Sequence, residues 1–253
     1  MACADISAAM TPAEIAANVE QVRLRIARAA TRAGRPASDI TLIAVTKTVP
    51  AENVDAAFEA GVCDFGENYV REALQKQQAV AGVTHTESGL PRLLWHFIGH
   101  LQGNKVREIV GHFDLIHSVD SISLARDIAR RSQLSGITTG ILLEVKLDPA
   151  DTKFGFDIEA LPPAVQEIGQ LQGIHLRGLM GMAPYSADSQ QARPHFQRLY
   201  TVFNRLPRSM QQTLSMGMTA DFEVAIEEGA THVRIGTAIF GKRYLRSTVP
   251  GEL

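Results

Sequence analysis

Eight short apolar segments recur along this chain, and helical spacing fills the stretches between most of them; that alternation limits the possible folds more than any other feature. The strand candidates are Leu42–Thr46, Val62–Gly66, Leu94–Gly99, Leu115–Val119, Ile141–Val145, Ile174–Met180, Thr213–Met216 and Val233–Ile235. Between them, helices are expected over Ala51–Ala60, Tyr69–Val80, Lys105–Val110, Ser123–Ser132, Leu161–Leu171, Asp188–Leu206 and Ala220–Glu228. Several strands are apolar without alternation, the pattern of a parallel sheet covered on both faces. One further helix precedes the first strand. Thr11 is its N-cap, with Pro12 in the first turn and Glu14 completing a capping box; Ile15, Val19, Val22, Leu24, Ile26 and Ala29 form its stripe and Gly34 ends it. Eight strands with helical connections favour an α/β fold of the (β/α)8 TIM-barrel type with an extra N-terminal helix. An open doubly wound sheet is the alternative.

A chain of 253 residues suits one such domain, here expected to span 1–253 with 1–10 and 245–253 as loose tails and Ala79–Arg92 as a surface loop. A net charge of -2 gives no bias towards nucleic acid or anionic membranes. Two cysteines, one in a terminal tail, argue against a disulfide framework, and the N-terminus lacks a signal-peptide pattern. No apolar run is long enough to span a bilayer. A reducing, cytoplasmic setting is expected.

In a barrel of this kind, chemistry sits at the C-terminal strand ends. Lys47 follows the first strand in "TLIAVTKTVP". It reads either as a lysine snorkelling to solvent or as an amine whose charged form is disfavoured by an apolar rim, which makes it nucleophilic. After strand seven comes "SMGMTAD": Ser215 and Thr219 carry hydroxyls, Gly217 allows close backbone approach, and Thr219 is a candidate cap for the next helix. After strand eight, "VRIGTAIFG" offers Gly236 and Thr237. Two glycine-containing turns at these positions suit a phosphate site, or else two ordinary strand–helix joints. Closure would place strand eight beside strand one, with Lys47 about 10 Å from the loop after strand seven, two strand spacings away. Arg234 would be costly to bury unpaired. It either faces a ligand, such as a pyridine nitrogen it could donate to but not protonate, or pairs with Glu223 or Glu227.

Taken together, "LIAVTKTVP", "FGENYVREALQK", "WHFIGHLQGNK", "IHSVDS", "DTKFGF", "LRGLMGMAPY" and "LSMGMTADFEVAIEEGATHVRIGTAIFG" resemble the YggS/PROSC family of pyridoxal 5′-phosphate (PLP) binding or PLP-homeostasis proteins. Gly103 in "HLQGNK" departs from the serine expected there. The resemblance implies a single barrel like the N-terminal domain of alanine racemase. It implies PLP held as an aldimine on Lys47, phosphate contacts near Ser215, Met216, Gly217, Gly236 and Thr237, Arg234 at the pyridine nitrogen, and Asn68 near the cofactor.

Other residues carry weaker signals. His96 and His100 are four apart, but a strand does not turn both one way, so no metal site is expected; His96, His100 and His117 are read as hydrogen-bonding near the barrel mouth. Glu67, Arg71, Glu72, Gln75 and Lys76 read as a solvated helical face, and Lys153 as a surface lysine or a cofactor neighbour. Met180, Met182, Met216 and Met218 read as filling the barrel top or packing on an aromatic ring. A PLP enzyme needs a positioned acid/base as well as a lysine. Alanine racemase takes one from a second domain, which a chain ending at Leu253 is expected to lack; where its motif has a ring-stacking histidine, Met182 stands here. The expectation is therefore a monomeric carrier that stores, buffers or delivers PLP, with PLP-dependent apo-enzymes as partners. A fold-type III racemase and a Schiff-base aldolase are the competing readings.

Overall fold

A computed structural model describes residues 10–80, 92–147 and 154–241. Lys153, the two tails apart from Met10, and most of the Ala79–Arg92 loop lie outside the described residues. Eight parallel strands form a closed barrel in sequence order: β1 Thr41–Val45, β2 Asp64–Glu67, β3 Leu94–Phe97, β4 Leu115–Val119, β5 Thr139–Val145, β6 Ile174–Gly181, β7 Thr213–Met218 and β8 His232–Ile235. The helices are α1 Pro12–Arg32, α2 Ala51–Glu59, α3 Val70–Ala79, α4 Val106–Ile109, α5 Ile122–Leu134, α6 Leu161–Ile168, α7 Arg193–Phe203, α8 Phe222–Glu227 and α9 Thr237–Phe240. The open sheet is excluded by direct pairing of the first and last strands, with Thr41 opposite His232, Ile43 opposite Arg234 and Ala44 opposite Ile235.

Each strand splits its side chains between two environments, because successive residues point to opposite faces. Outward residues such as Ala44, Phe65, Trp95, Phe97, Ile116, Ile141, Leu143, Leu179, Leu214, Val233 and Ile235 join the large apolar layer beneath the helices. The inward set includes a small separate cluster of Leu115, Leu142 and Met180. Most strands are therefore buried on both sides, which is why their sequences lack polar alternation.

The extra helix covers the closing seam. Thr11 and Glu14 form the expected capping box, with the Glu14 N–H donating to Thr11 Oγ1 at 3.3 Å and the Thr11 N–H to Glu14 Oε2 at 2.8 Å. Ile15, Val19, Val22, Ile26, Ala29 and Ala30 are buried, whereas Leu24 lies on the exposed side. α1 packs against α2, α8 and α9, the helices that follow β1, β7 and β8. Asn18 Nδ2 donates to the Ile239 carbonyl at 2.9 Å, and Arg25 and Arg32 pair with Glu223 and Glu227 on α8.

Element boundaries differ from expectation where side chains or glycine intervene. Asp221 Oδ1 accepts from the Met218 N–H at 2.6 Å, which extends the turn after β7 and starts α8 at Phe222, so Thr219 does not cap it. The long helix expected over Asp188–Leu206 is a 3-10 turn, Ser189–Ala192, followed by α7.

Gly178 sits in β6 where the register against β5 slips, Ile141 facing Leu176 but Leu142 facing Gly178. Its φ is +152°, and a Cβ there would lie 1.9 Å from the Thr213 carbonyl oxygen of β7. Only glycine lets three strands approach at this point. Gly178→Ala is expected to destabilise the barrel by at least about 3 kcal/mol, or to prevent soluble folding, with Gly136→Ala costing much less. Thermal or urea denaturation of the two variants checks this, since a Cβ on Gly136 meets no heavy atom within 4 Å.

Candidate functional site

Barrel closure brings Lys47 and Arg234 to one rim. Lys47 follows β1 and is half-buried; Arg234 is in the adjacent strand β8 and only 4% exposed. Glu223 pairs with Arg25, and Glu227 with Arg32 and Arg193, so the expected ion pairs to Arg234 are not formed. The guanidinium instead donates to Ser215 Oγ at 2.5 Å and to the Gly181 carbonyl at 3.1 Å. Burial pulls its pKa down to about 10, opposed by the Asp221 and Glu144 carboxylates, so it stays cationic at neutral pH.

Below Arg234 the barrel interior is unusually polar. His117 Nδ1 lies 3.0 Å from Ser215 Oγ, His117 Nε2 lies 3.0 Å from His96 Nδ1, and His96 Nε2 lies 2.9 Å from Asp64 Oδ1. With neutral imidazoles the Asp64 carboxylate orders this chain: it can only accept, so His96 donates to it through Nε2 and accepts at Nδ1 from His117 Nε2, which leaves His117 Nδ1 to accept the Ser215 O–H while Ser215 Oγ accepts from Arg234. The order requires neutral imidazoles. Burial holds the His117 pKa well below the usual histidine range, and burial brings neighbouring His232 down to about 4. His96 and His117 are thus inside the barrel rather than at its mouth. Only His100 is at the rim, stacked on Phe154 with ring centroids 3.5 Å apart and facing Asp120 at 3.4 Å. Among the described residues no group of three or more His, Cys, Asp or Glu could hold a metal.

The two loops expected to hold phosphate are arranged differently from each other. Ser215 is fully buried and its hydroxyl is engaged by Arg234 and His117, which makes it a support for the guanidinium. Met216 is also fully buried, with its side chain in the outer apolar layer. Gly217 has a φ of +90°, and a Cβ there would meet Ala225 at 2.5 Å and Phe222 at 2.9 Å, so the glycine lets α8 close on β7. Gly236 and Thr237 open the short helix α9, where the first N–H groups have no intrahelical acceptor, and Thr237 is exposed. Met180 is buried in the inner cluster, while Met182 and Met218 are exposed at strand ends.

Several functional features were not read from the sequence. Thr48, next to Lys47, has a φ of +60°, a left-handed conformation that costs a β-branched residue of order 1–3 kcal/mol. Glu67, Glu72 and Lys76, read as a solvated face, form a cluster beside it in which Glu67 is fully buried and Lys76 is 6% exposed. Asn68 Oδ1 is buried with no hydrogen-bond partner in the described structure. Asn68 is held against the segment after β3, where a Cβ on Gly99 would come within 2.2 Å of the Asn68 carbonyl oxygen. Glu144, on β5, is buried, and burial followed by Asp120 raises its pKa to about 7.

This arrangement defines a class: a parallel barrel with a lysine after β1, a buried arginine on β8 and backbone donors at the start of the following turn. The chain belongs to the alanine racemase N-terminal domain family, whose model matches residues 15–244. A pyridoxal phosphate homeostasis protein of Pseudomonas aeruginosa is 42% identical over 229 residues, covering 90% of this chain and 96% of that protein. One from Escherichia coli K12 is 39% identical over 235 residues, covering 91% and 97%. PipY of Synechococcus elongatus, solved with PLP bound, is 36% identical with a TM-score of 0.76, covering 90% of this chain and all (100%) of that one. A histidine racemase of Leuconostoc mesenteroides shares the fold at 17% identity and a TM-score of 0.66; the match covers 91% of this chain and 58% of the racemase chain. The resemblance drawn from the motifs is borne out.

Glu144 supplies a pH test. Its native pKa lies above the unfolded value, so the native state binds more protons between about pH 4.5 and 7. The penalty for ionising it is absent below the unfolded pKa and fully present above about pH 7. Glu144→Gln should therefore gain stability relative to wild type as pH rises from 4.5 to 8, by about 2–3 kcal/mol in total. Urea denaturation at pH 4.5 and 8 measures the difference; equal values at both would mean that Glu144 does not titrate near neutrality.

Proposed function

We propose that this chain binds pyridoxal 5′-phosphate at the C-terminal rim of the barrel, linked to Lys47, and serves PLP homeostasis by storing, buffering or delivering it without turning over a substrate. The observation that carries this reading is the pairing of β1 with β8, which lays the strand leading into Lys47 against the strand that carries the buried Arg234. The residues fit the group. Lys47 is the candidate carbonyl partner, Asn68 brings a buried oxygen without a partner, and Gly236 and Thr237 bring N–H groups and a hydroxyl for an anion. Ser215, Met216 and Gly217 form the second wall of the site. In this role Ser215 acts through Arg234, which its hydroxyl contacts, and Met216 and Gly217 through backbone. PipY, with PLP bound, and relatives that are pyridoxal phosphate homeostasis proteins support the choice of ligand.

Bound PLP supplies an electrophilic aldehyde and, when its ring nitrogen is protonated, an electron sink. On this reading Arg234 faces that nitrogen. An arginine donates a hydrogen bond but keeps its proton at neutral pH, so it does not promote the sink. Carbanion chemistry is correspondingly weak, which favours a carrier over a racemase. PLP-dependent apo-enzymes are the partners such a carrier would serve, and a monomer in the cytoplasm suits the role. No helix among the described residues is long and apolar enough to cross a membrane.

Protein mixed with PLP should turn yellow, and borohydride should fix one pyridoxyl group on Lys47, seen by peptide mass spectrometry. Lys47→Ala should abolish the adduct and weaken retention at least about tenfold, while Thr237→Ala weakens it about threefold to tenfold. A colourless mixture without adduct would refute the reading. Lys47-dependent racemisation of alanine or serine would replace the carrier with an enzyme.

A further inference from the structure

Lys47 sits between two residues tied into one charged cluster, Thr46 to the Lys76 ammonium and Thr48 to the Glu72 carboxylate that the same ammonium holds. Lys76 Nζ on α3 donates to the Thr46 carbonyl at 2.7 Å, to Glu67 Oε1, and to Glu72 Oε1 at 2.9 Å. Those three acceptors match the three N–H bonds an ammonium has. Glu67 Oε1 also accepts from Thr46 Oγ1 at 2.7 Å, and Glu72 Oε1 accepts from the Thr48 N–H at 2.5 Å. The backbone is therefore gripped immediately before and immediately after Lys47. The grip falls where the chain resists its own conformation, since Thr48 has a φ of +60° and is the one non-glycine residue with positive φ among those described.

We infer that Glu72 and Lys76, with Glu67, are positioning residues: they hold the Thr46–Lys47–Thr48 backbone in its strained turn and thereby set how readily the Lys47 amine takes an aldehyde. The inference rests on the proposed PLP reading and assigns a role to residues that reading leaves out. None of the three is placed among the ligand-contacting groups. A solvated helix face would need neither a fully buried carboxylate nor a nearly buried ammonium; ions are kept inside only when each is paired. Left-handed backbone at a β-branched residue persists only where its surroundings impose it, and such sites gather where geometry serves function. Here the imposing contact is the Glu72 carboxylate on the Thr48 N–H.

Glu72 is the residue to change, because its side chain is 28% exposed and its loss leaves the Lys76–Glu67 pair in place, so the barrel should still fold. Three measurements separate positioning from general damage. Affinity is measured for PLP and for pyridoxine 5′-phosphate, which has the same ring and phosphate but an alcohol in place of the aldehyde. Amide hydrogen exchange at Thr48 is followed in the ligand-free protein. The same change is then repeated in a Thr48→Gly background, where left-handed backbone needs no support. Glu72→Ala is expected to weaken PLP binding about tenfold, to leave pyridoxine 5′-phosphate within about twofold, and to speed Thr48 exchange. In Thr48→Gly the loss on removing Glu72 should shrink to less than about threefold. Equal loss for both ligands, no loss for either, or the same loss in both backgrounds overturns the inference. If wild-type protein forms no Lys47 adduct, the parent reading falls and this one with it; an adduct with unchanged Glu72 variants sinks this inference alone.

Discussion

Everything at the rim depends on the hydrogen bonds between β1 and β8. They join residues nearly two hundred positions apart and turn a sheet that would have two raw edges into one with none. The same contact makes the site, because Lys47 and Arg234 come from the two strands that meet there. α1 lies over that seam, packed on α2, α8 and α9, and ties itself to α8 through Arg25 and Arg32 and to α9 through Asn18. The helix outside the eightfold repeat therefore reinforces the one strand pair that closes the barrel.

The second organising feature is a buried cation, Arg234, with no directly bonded carboxylate among the described residues. A lone guanidinium in a barrel core is expensive unless its hydrogen bonds are met. Here Ser215 and the Gly181 carbonyl meet part of that need, and Ser215 passes the polarity on through His117 and His96 to Asp64. The chain starts at a group that can only donate and ends at a carboxylate, so every proton in it has one place. Burial keeps His117 neutral, as the order requires, and keeps nearby His232 neutral as well, so neither adds a positive charge beside Arg234. Near the rim, Glu144 and Asp221 act on Arg234 through the field rather than through contact. Together these groups fix one buried positive charge on the strand that pairs with β1.

Much of this was visible in the order of residue types. The eight apolar runs, the capping box of Thr11 and Glu14, and the placement of Lys47, Arg234, Gly236 and Thr237 at strand ends all follow from local pattern and the barrel rule. Other parts could not be read locally. Glu67, Glu72 and Lys76 have the spacing of a solvent-facing helix, and only the fold of α3 against the end of β1 turns that face inward. His96 and His117 were placed near the mouth because neither spacing nor neighbours reveal depth along a strand. That Gly217 lets α8 close on β7 depends on a helix whose approach the turn sequence does not show. The bonds of Ser215 to Arg234 and His117 were also hidden, since only the meeting of β4, β7 and β8 in the interior shows what its hydroxyl touches.

The sequence by itself determined the repeating strand–helix order, the apolar layers and the chemical types available at the rim, because periodicity and turn chemistry act over a few residues. The tertiary structure alone decided which of those types meet: that the strand leading into Lys47 lies against the strand of Arg234, that two histidines link a serine to an aspartate, and that a threonine next to the lysine is left-handed with its N–H on a carboxylate from α3. Those are contacts between distant segments, and their geometry is set by closure and packing of the whole barrel, which no short window of residues encodes.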